Sequence, residues 1–132
     1  MNVLSIDGTD RKFYSILGPF LGDREIIKEL GSPIYAENEK RWFVAMDENQ
    51  MVMGFVGLKP MVNNKMALSS FYVIPQNRNQ GIGGRLMSVL VDYAQNKTIT
   101  ATVRGRAKRI FLSHGFTIIR KSRNYIFMER RS

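Results

Sequence analysis

Residues Pro75–Leu86, PQNRNQGIGGRL, place three glycines and two arginines between a strongly apolar run and a stretch with helical spacing. A glycine turn that opens a helix leaves unpaired N–H groups pointing outward, where the helix dipole favours negative charge and the missing Cβ atoms admit a close approach. Arg78 is suited to add a charge-assisted contact. The chemistry these residues suggest is capture of a pyrophosphate. Two familiar phosphate loops do not fit. A dinucleotide fingerprint needs glycine at its first, third and sixth positions, and counted from Gly81 the sixth is Leu86. A P-loop closes on Gly-Lys-Ser/Thr, and this turn closes on Gly83-Gly84-Arg85. The chain has no cysteine and a single histidine, His114, which excludes disulfides, thiolate zinc, a cysteine nucleophile and a histidine-rich metal centre. No metal site is expected.

The elements that must hold this turn follow from periodicity. NVLSI reads as a first short strand. DRKFYSILGPF and DREIIKEL read as helices, each opened by an aspartate suited to N-capping, with GSP breaking the second. RWFVAMD and MVMGFVGL are strands joined by DENQ, and Asn63-Asn64 leads into a third, KMALSSFYVI. Beyond the glycine turn, Ile82, Leu86, Val89, Leu90 and Tyr93 share one helix face. TITATV is a β-branched strand, and RAKRIFLSHGF is a short helix closed by Gly115 with Phe116 packing back over it. FTIIRK and YIFMER finish as strands around SRN. The order β-α-α-β-β-β-α-β-α-β-β predicts one α/β domain over residues 1–132 with a sheet of mixed direction.

Arg78-Asn79-Gln80-Gly81-Ile82-Gly83 resembles the R/Q-x-x-G-x-G/A signature of the GNAT superfamily of acetyl-CoA-dependent N-acetyltransferases. FYVIP before it is similar to that family's fourth strand, and AKRIFLSHGF resembles its second block, A-x-x-x-Y-x-x-x-G-F. The resemblance extends over nearly the whole chain. It implies a GNAT-type mixed, mostly antiparallel sheet flanked by about four helices. It also implies acetyl-CoA as co-substrate, with main-chain groups of Phe71, Tyr72 and Val73 pairing with the pantetheine arm. N–H groups from Arg78 through Asn79, Gln80, Gly81, Ile82 and Gly83, together with Gly84, then hold the pyrophosphate. The implied reaction is direct attack of a primary amine, with the Val73 N–H stabilising the developing oxyanion.

The chain departs from the family pattern at three places. Phe111 stands where the second block usually has a proton-donating tyrosine, and Arg104 where it often has asparagine. Ser69 and Ser70 stand in the strand where many members keep a glutamate as general base. Tyr125, in a terminal strand, is the substitute expected to face the thiol, with Tyr72 as the other phenol; Ser69 or Ser70 is expected to order a water that takes the amine's proton. His114 is expected to be an exposed helix-end residue. Glu37 and Glu39 precede the second strand, in a region that lines the acceptor site in such folds, and either Trp42 or Phe43 is expected to shape an acceptor pocket while the other enters the core.

Charge is unevenly placed. Residues 1–48 hold nine acids against six Lys/Arg, whereas residues 49–132 hold only Asp92 and Glu129 against fourteen. The run Arg104, Arg106, Lys108, Arg109, Arg120, Lys121 and Arg123 suits a polyanion. Acceptors therefore include a small-molecule or protein amine and, as an alternative, an amine borne on aminoacyl-tRNA or modified DNA. A different class of reading is a GNAT-like protein that binds coenzyme A or nucleic acid without catalysis. The family resemblance also implies pairing of two copies through terminal strands, for which YIFMERRS is the expected edge. MNVLSIDGTDRK meets acidic and glycine residues before any signal-peptide core can form, and MVMGFVGLKPMV is too short to span a bilayer. A cytoplasmic protein with no membrane partner is expected.

Overall fold

The computed structural model describes residues 1–132. Strands β1 (Asn2–Asp7), β2 (Arg41–Met46), β3 (Val52–Pro60), β4 (Lys65–Val73), β5 (Thr98–Val103), β6 (Thr117–Lys121) and β7 (Ile126–Arg130) form one sheet in the order β1-β2-β3-β4-β5-β7-β6. All neighbours are antiparallel except β4 and β5. Helices α1 (Phe13–Leu21) and α2 (Arg24–Leu30) cover one face, and α3 (Ile82–Tyr93) and α4 (Lys108–Leu112) the other. The mixed sheet direction is what the element order predicts, and the mostly antiparallel pairing with four helices is what the family resemblance implies.

Covering the sheet on both faces requires apolar residues of both parities in the inner strands. β2 shows this: Trp42 packs with α1 while Phe43 packs toward α3, and both are fully buried. Neither therefore shapes an acceptor pocket. The expectation that one would be free assumed a sheet with one wet face.

Two helix starts differ in the same instructive way. The Asp23 carboxylate accepts from the N–H groups of Glu25 and Ile26 and caps α2 as predicted. Asp10 instead accepts from Lys12 N–H in the turn before α1, which starts at Phe13 without a side-chain cap.

The expected edge strand is also corrected. β7 lies between β5 and β6, with Met128 buried, so YIFMERRS is interior and β6 is the edge beyond it. The exposed Arg120 and Lys121 suit β6 to that position, because charged side chains blunt an open ladder.

Lys40 is the one buried charged residue, with 3% exposure. Its ammonium donates to the Tyr35 carbonyl at 3.3 Å and lies 4.4 Å from the Trp42 ring centroid. Burial lowers its pKa from 10.5 to about 8, a shift that nearby Glu37 opposes. Below pH 8 the amine is charged in both the folded and the unfolded chain, and the folded state bears the desolvation cost. Between about 8 and 10.5 the unfolded chain binds more protons, so stability rises with pH. Urea titrations are expected to show a gain on the order of 2–3 kcal/mol across that window. A Lys40→Met variant should lack the gain and be more stable than the parent at pH 7.

Candidate active site

β4 carries the decisive irregularity. Its pairing with β3 shifts between Gly57↔Ser69 and Phe55↔Tyr72, and Ser70 sits in the bulge at φ 57°. On the other side, parallel pairing with β5 runs only from Lys65↔Thr98 to Leu68↔Ala101. Beyond that last pair the two strands part, leaving a V between residues 69–73 and 102–103. A cleft of about 950 Å³ fills the V, within the range of small-molecule sites.

The main-chain groups along this edge can be assigned. Ile74 N–H donates to Met53 O at 2.8 Å, so by antiparallel alternation Tyr72 turns its own N–H and C=O to β3 opposite Phe55, while Val73 turns away toward the cleft. Tyr72 is thus not free to pair with a ligand through its backbone, contrary to expectation. The Val73 carbonyl is also taken, by Arg78 Nε at 2.9 Å. What the edge offers is the Val73 N–H, with Phe71 in the bulge beside it.

At the mouth of the V stands α3. Its N-cap is Gly81 in the left-handed region, with no side-chain cap and no acid in the first turn. The first bond within this helix runs from Arg85 N–H to Gly81 O, so the N–H groups of Ile82, Gly83 and Gly84 have no helical partner. A Cβ added at Gly81 or Gly84 would meet nothing within 4 Å, whereas one at Gly83 would strike Ile110 Cδ1 at 2.9 Å. Gly83 thus packs closely against the side-chain tips of Ile110 and Phe71, and Gly81 and Gly84 border open space against bare donors. That is a cradle for an anion.

Arg78 has partners beyond its expected role. Besides Val73 O, its guanidinium bonds Glu29 Oε2 at 2.6 Å and lies 5.3 Å from the Tyr72 ring centroid. The arginine braces the turn against α2 and also lines the cleft. Asn79 lines the cleft at φ 64°, but Gln80 does not line it, and its side chain reaches back toward Gln76 O at 3.4 Å. Ser70, Phe71 and Tyr125 line the cleft with them. Tyr125 sits in the turn just before β7 rather than in a strand; its hydroxyl is 3.5 Å from Gly31 O and Arg104 lies over its ring. Burial, with the charge of Glu29 adding to it, holds the Tyr72 phenol above its ordinary pKa.

Phe111 is fully buried, edge-on to Phe71 and Phe116 at 5.7 and 5.1 Å between centroids. Glu37 and Glu39 both pair with Lys59 and lie outside the cleft. The half-buried His114 lies 2.8 Å from Ile110 O and 3.2 Å from the Ser88 hydroxyl, fastening α4 to α3. Of the basic run, Arg104 and Arg106 turn into the cleft and bond α2, through Lys28 O and Glu29.

Two carboxylates that sequence reasoning passed over also line the cleft, Glu29 and Glu129. Glu29 is fastened to Arg78 and Arg106. Glu129 alternates with the buried Met128 on β7, a signal readable only once the open face of that strand is known.

Residues 38–118 match the family model described as "Acetyltransferase (GNAT) domain". None of the curated proteins compared with the chain matches it. Among solved structures, Escherichia coli ElaA superposes with a TM-score of 0.82 at 12% identity, covering 99% of this chain and 100% of that one. The spermidine N-acetyltransferase of Vibrio cholerae, solved with CoA and spermine, gives 0.72 at 15% identity over 96% and 92%. An aminoglycoside 6'-N-acetyltransferase complexed with coenzyme A gives 0.71 at 18% identity over 98% and 96%. No helix of the chain is long and apolar enough to cross a membrane.

Proposed function

Because the chain belongs to the GNAT acetyltransferase family, we propose that it transfers an acetyl group from acetyl-CoA to a primary amine by direct attack, residues 1–132 acting as one catalytic unit. The observation that carries this reading is the V between β4 and β5, which leads an unpaired strand edge to an uncapped helix N-terminus. Open space at Gly81 and Gly84 against three bare N–H donors fits a pyrophosphate, and the Val73 N–H fits a polar group of an extended arm. Named amine acetyltransferases share the fold, which supports an amine as acceptor.

In this reading Asn79, Gly81, Ile82, Gly83 and Gly84 hold the phosphates, and Phe71 and Val73 hold the arm. Bound acetyl-CoA supplies an activated acetyl group. The Val73 N–H donates to the acyl oxygen, a preorganised dipole that costs no rearrangement as charge develops. Phe111 has no proton to give, and its buried ring supports Phe71 beneath the arm. Tyr125, loosely held at 3.5 Å from Gly31 O, is the donor we assign to the leaving side, and the Ser70 hydroxyl orders water near the bulge.

Calorimetric titration with acetyl-CoA is the test. Saturable one-site binding is expected. No heat at millimolar acetyl-CoA would overturn the reading and leave the glycine turn as a helix cap only.

A further inference from the structure

We propose that the amine acceptor carries an anionic group, a carboxylate or a phosphate monoester, and that Arg104 with Lys28 holds this group beside the acyl carbon. The proposal rests on the acetyl-transfer reading and deepens it by naming the acceptor's chemistry.

The register brings Arg104 to the reacting level of the V. β5 sends Ile99, Ala101 and Val103 into the core under α3 and α4, so Thr100, Thr102 and Arg104 face the other side of the sheet. Arg104 keeps an extended backbone, and its side chain meets α2 on that side. Counted on from the last pair, Leu68↔Ala101, with one residue of β4 taken up by the bulge at Ser70, position 104 stands across the gap from Tyr72 and position 105 from Val73. Arg104 is therefore level with the Val73 N–H, where the acyl oxygen is held.

A second cavity, of about 590 Å³, opens beside α2 at the same level. It shares Glu29, Tyr72, Arg104 and Arg106 with the cleft, and Glu25 and Lys28 add to its charged wall. The charges in that wall do not cancel. Glu29 divides its two oxygens between Arg78, at 2.6 Å, and Arg106, at 3.3 Å. Glu25 sits in the first turn of α2, where the helix dipole already suits it. Arg104 and Lys28 take part in none of the chain's ion pairs. Arg104 is nonetheless held in place. Its Nη1 donates to Lys28 O at 3.4 Å, its guanidinium lies 5.5 Å from the Tyr125 ring centroid, and it packs so closely on Gly31 that a Cβ there would stand 2.5 Å from Nη2. One N–H group serves that carbonyl, and the rest of the planar fork suits the oxygens of a carboxylate or phosphate with little further loss of side-chain freedom. Lys28, in the last turn of α2, adds a second positive charge to the same cavity. Two cations with no carboxylate between them repel each other, and an anion set against both relieves that repulsion. An acceptor tethered there by its anionic end keeps its nitrogen within a short chain's reach of the acyl carbon. No bond is made or broken at Arg104; it selects and orients the acceptor.

The experiment compares the parent with Arg104→Gln and Lys28→Gln, using γ-aminobutyrate and phosphoethanolamine as probes and butylamine as the control without an anion. In the parent, kcat/KM for the better anionic amine is expected to exceed that for butylamine about thirtyfold, the effect of a charge-assisted hydrogen bond. Which of the two leads identifies the group as carboxylate or phosphate. Arg104→Gln keeps an N–H donor for Lys28 O, and in it the ratio should fall to within about threefold of one; in Lys28→Gln it should fall about threefold. Each ratio is taken within one protein, so a loss shared by all amines, through Tyr125 or the seating of α2, cancels. NMR titration with the better anionic amine, without acyl donor, should show binding weakened by about tenfold or more in Arg104→Gln. Coenzyme A affinity should match the parent in both variants, which separates this site from the one for the coenzyme's phosphates. A preference that survives Arg104→Gln overturns the assignment, and an unchanged ratio in Lys28→Gln overturns the part given to Lys28. A parent that binds coenzyme A yet shows no preference for either anionic amine, or acetylates none of the three, overturns the proposal while leaving the coenzyme reading intact. A parent that fails to bind coenzyme A removes both.

Discussion

Replacing Gly84 with glutamate is expected to weaken coenzyme A binding about a thousandfold with little change in melting temperature. The site at Gly84 is sterically permissive, since an added Cβ meets nothing within 4 Å. Position 84 lies in the first turn of α3, where glutamate is a good helix former and its charge suits the dipole. The folded protein therefore has no reason to resist the change. The ligand does: a carboxylate beside the bare N–H groups occupies the cradle and repels phosphate, and like charges brought together cost several kcal/mol, each 1.4 kcal/mol being about tenfold in affinity. Titration calorimetry and a thermal melt on the same sample check both halves. Gly84→Ala is the matched control and should bind within about threefold of the parent, because the space it fills is open.

Phe111→Ala is expected to fail in the opposite way, through the fold. The ring is completely buried and touches Phe71 from the bulged stretch of β4 and Phe116 beyond the helix cap. Removing a phenyl group from such a setting costs about 3–5 kcal/mol, by lost transfer energy and by the cavity left behind. That is a large share of a small domain's stability. Chemical denaturation should show the loss directly. Affinity should fall as well in whatever fraction stays folded, because Phe71 loses its support beneath the cleft. Phe111→Leu, which keeps most of the volume, should recover more than half of the stability.

Much of this architecture was legible because local signals agreed with tertiary demand. The strand and helix order, the Asp23 cap, the Gly115 turn with Phe116 folded back and the uncapped glycine start of α3 all come from short-range chemistry that the rest of the chain does not override. Register and strand order were harder to read. Nothing in YIFMER says that β7 slips between β5 and β6, because both C-terminal strands have similar β propensity and the choice depends on which one buries Met128. Tyr72 looked available as a backbone donor because periodicity does not reveal which side of a ladder a residue faces; the bulge at Ser70 decides that. The tie between Arg78 and Glu29, 49 residues away, was equally beyond any local motif. Glu129 was overlooked for the same reason: its place in the cleft comes from pairing across β5, over a sequence distance no local motif spans.

The parting of β4 from β5 reaches beyond binding. Four residues on each strand are all that ladder the two halves of the sheet together. Past that short seam the halves are held by the α3 side of the core, and across the open face by a few fasteners from α2 and its cap: Glu29 to Arg106, Lys28 O to Arg104, and Gly31 O to Tyr125. A ligand lying in the gap replaces part of the missing ladder and becomes a structural member of the protein. Mass action then gives it about 2.7 kcal/mol of protection when free ligand exceeds its dissociation constant a hundredfold. On the proposed function, the empty protein opens at this seam more often than the liganded one and is the form expected to be cut first in limited proteolysis.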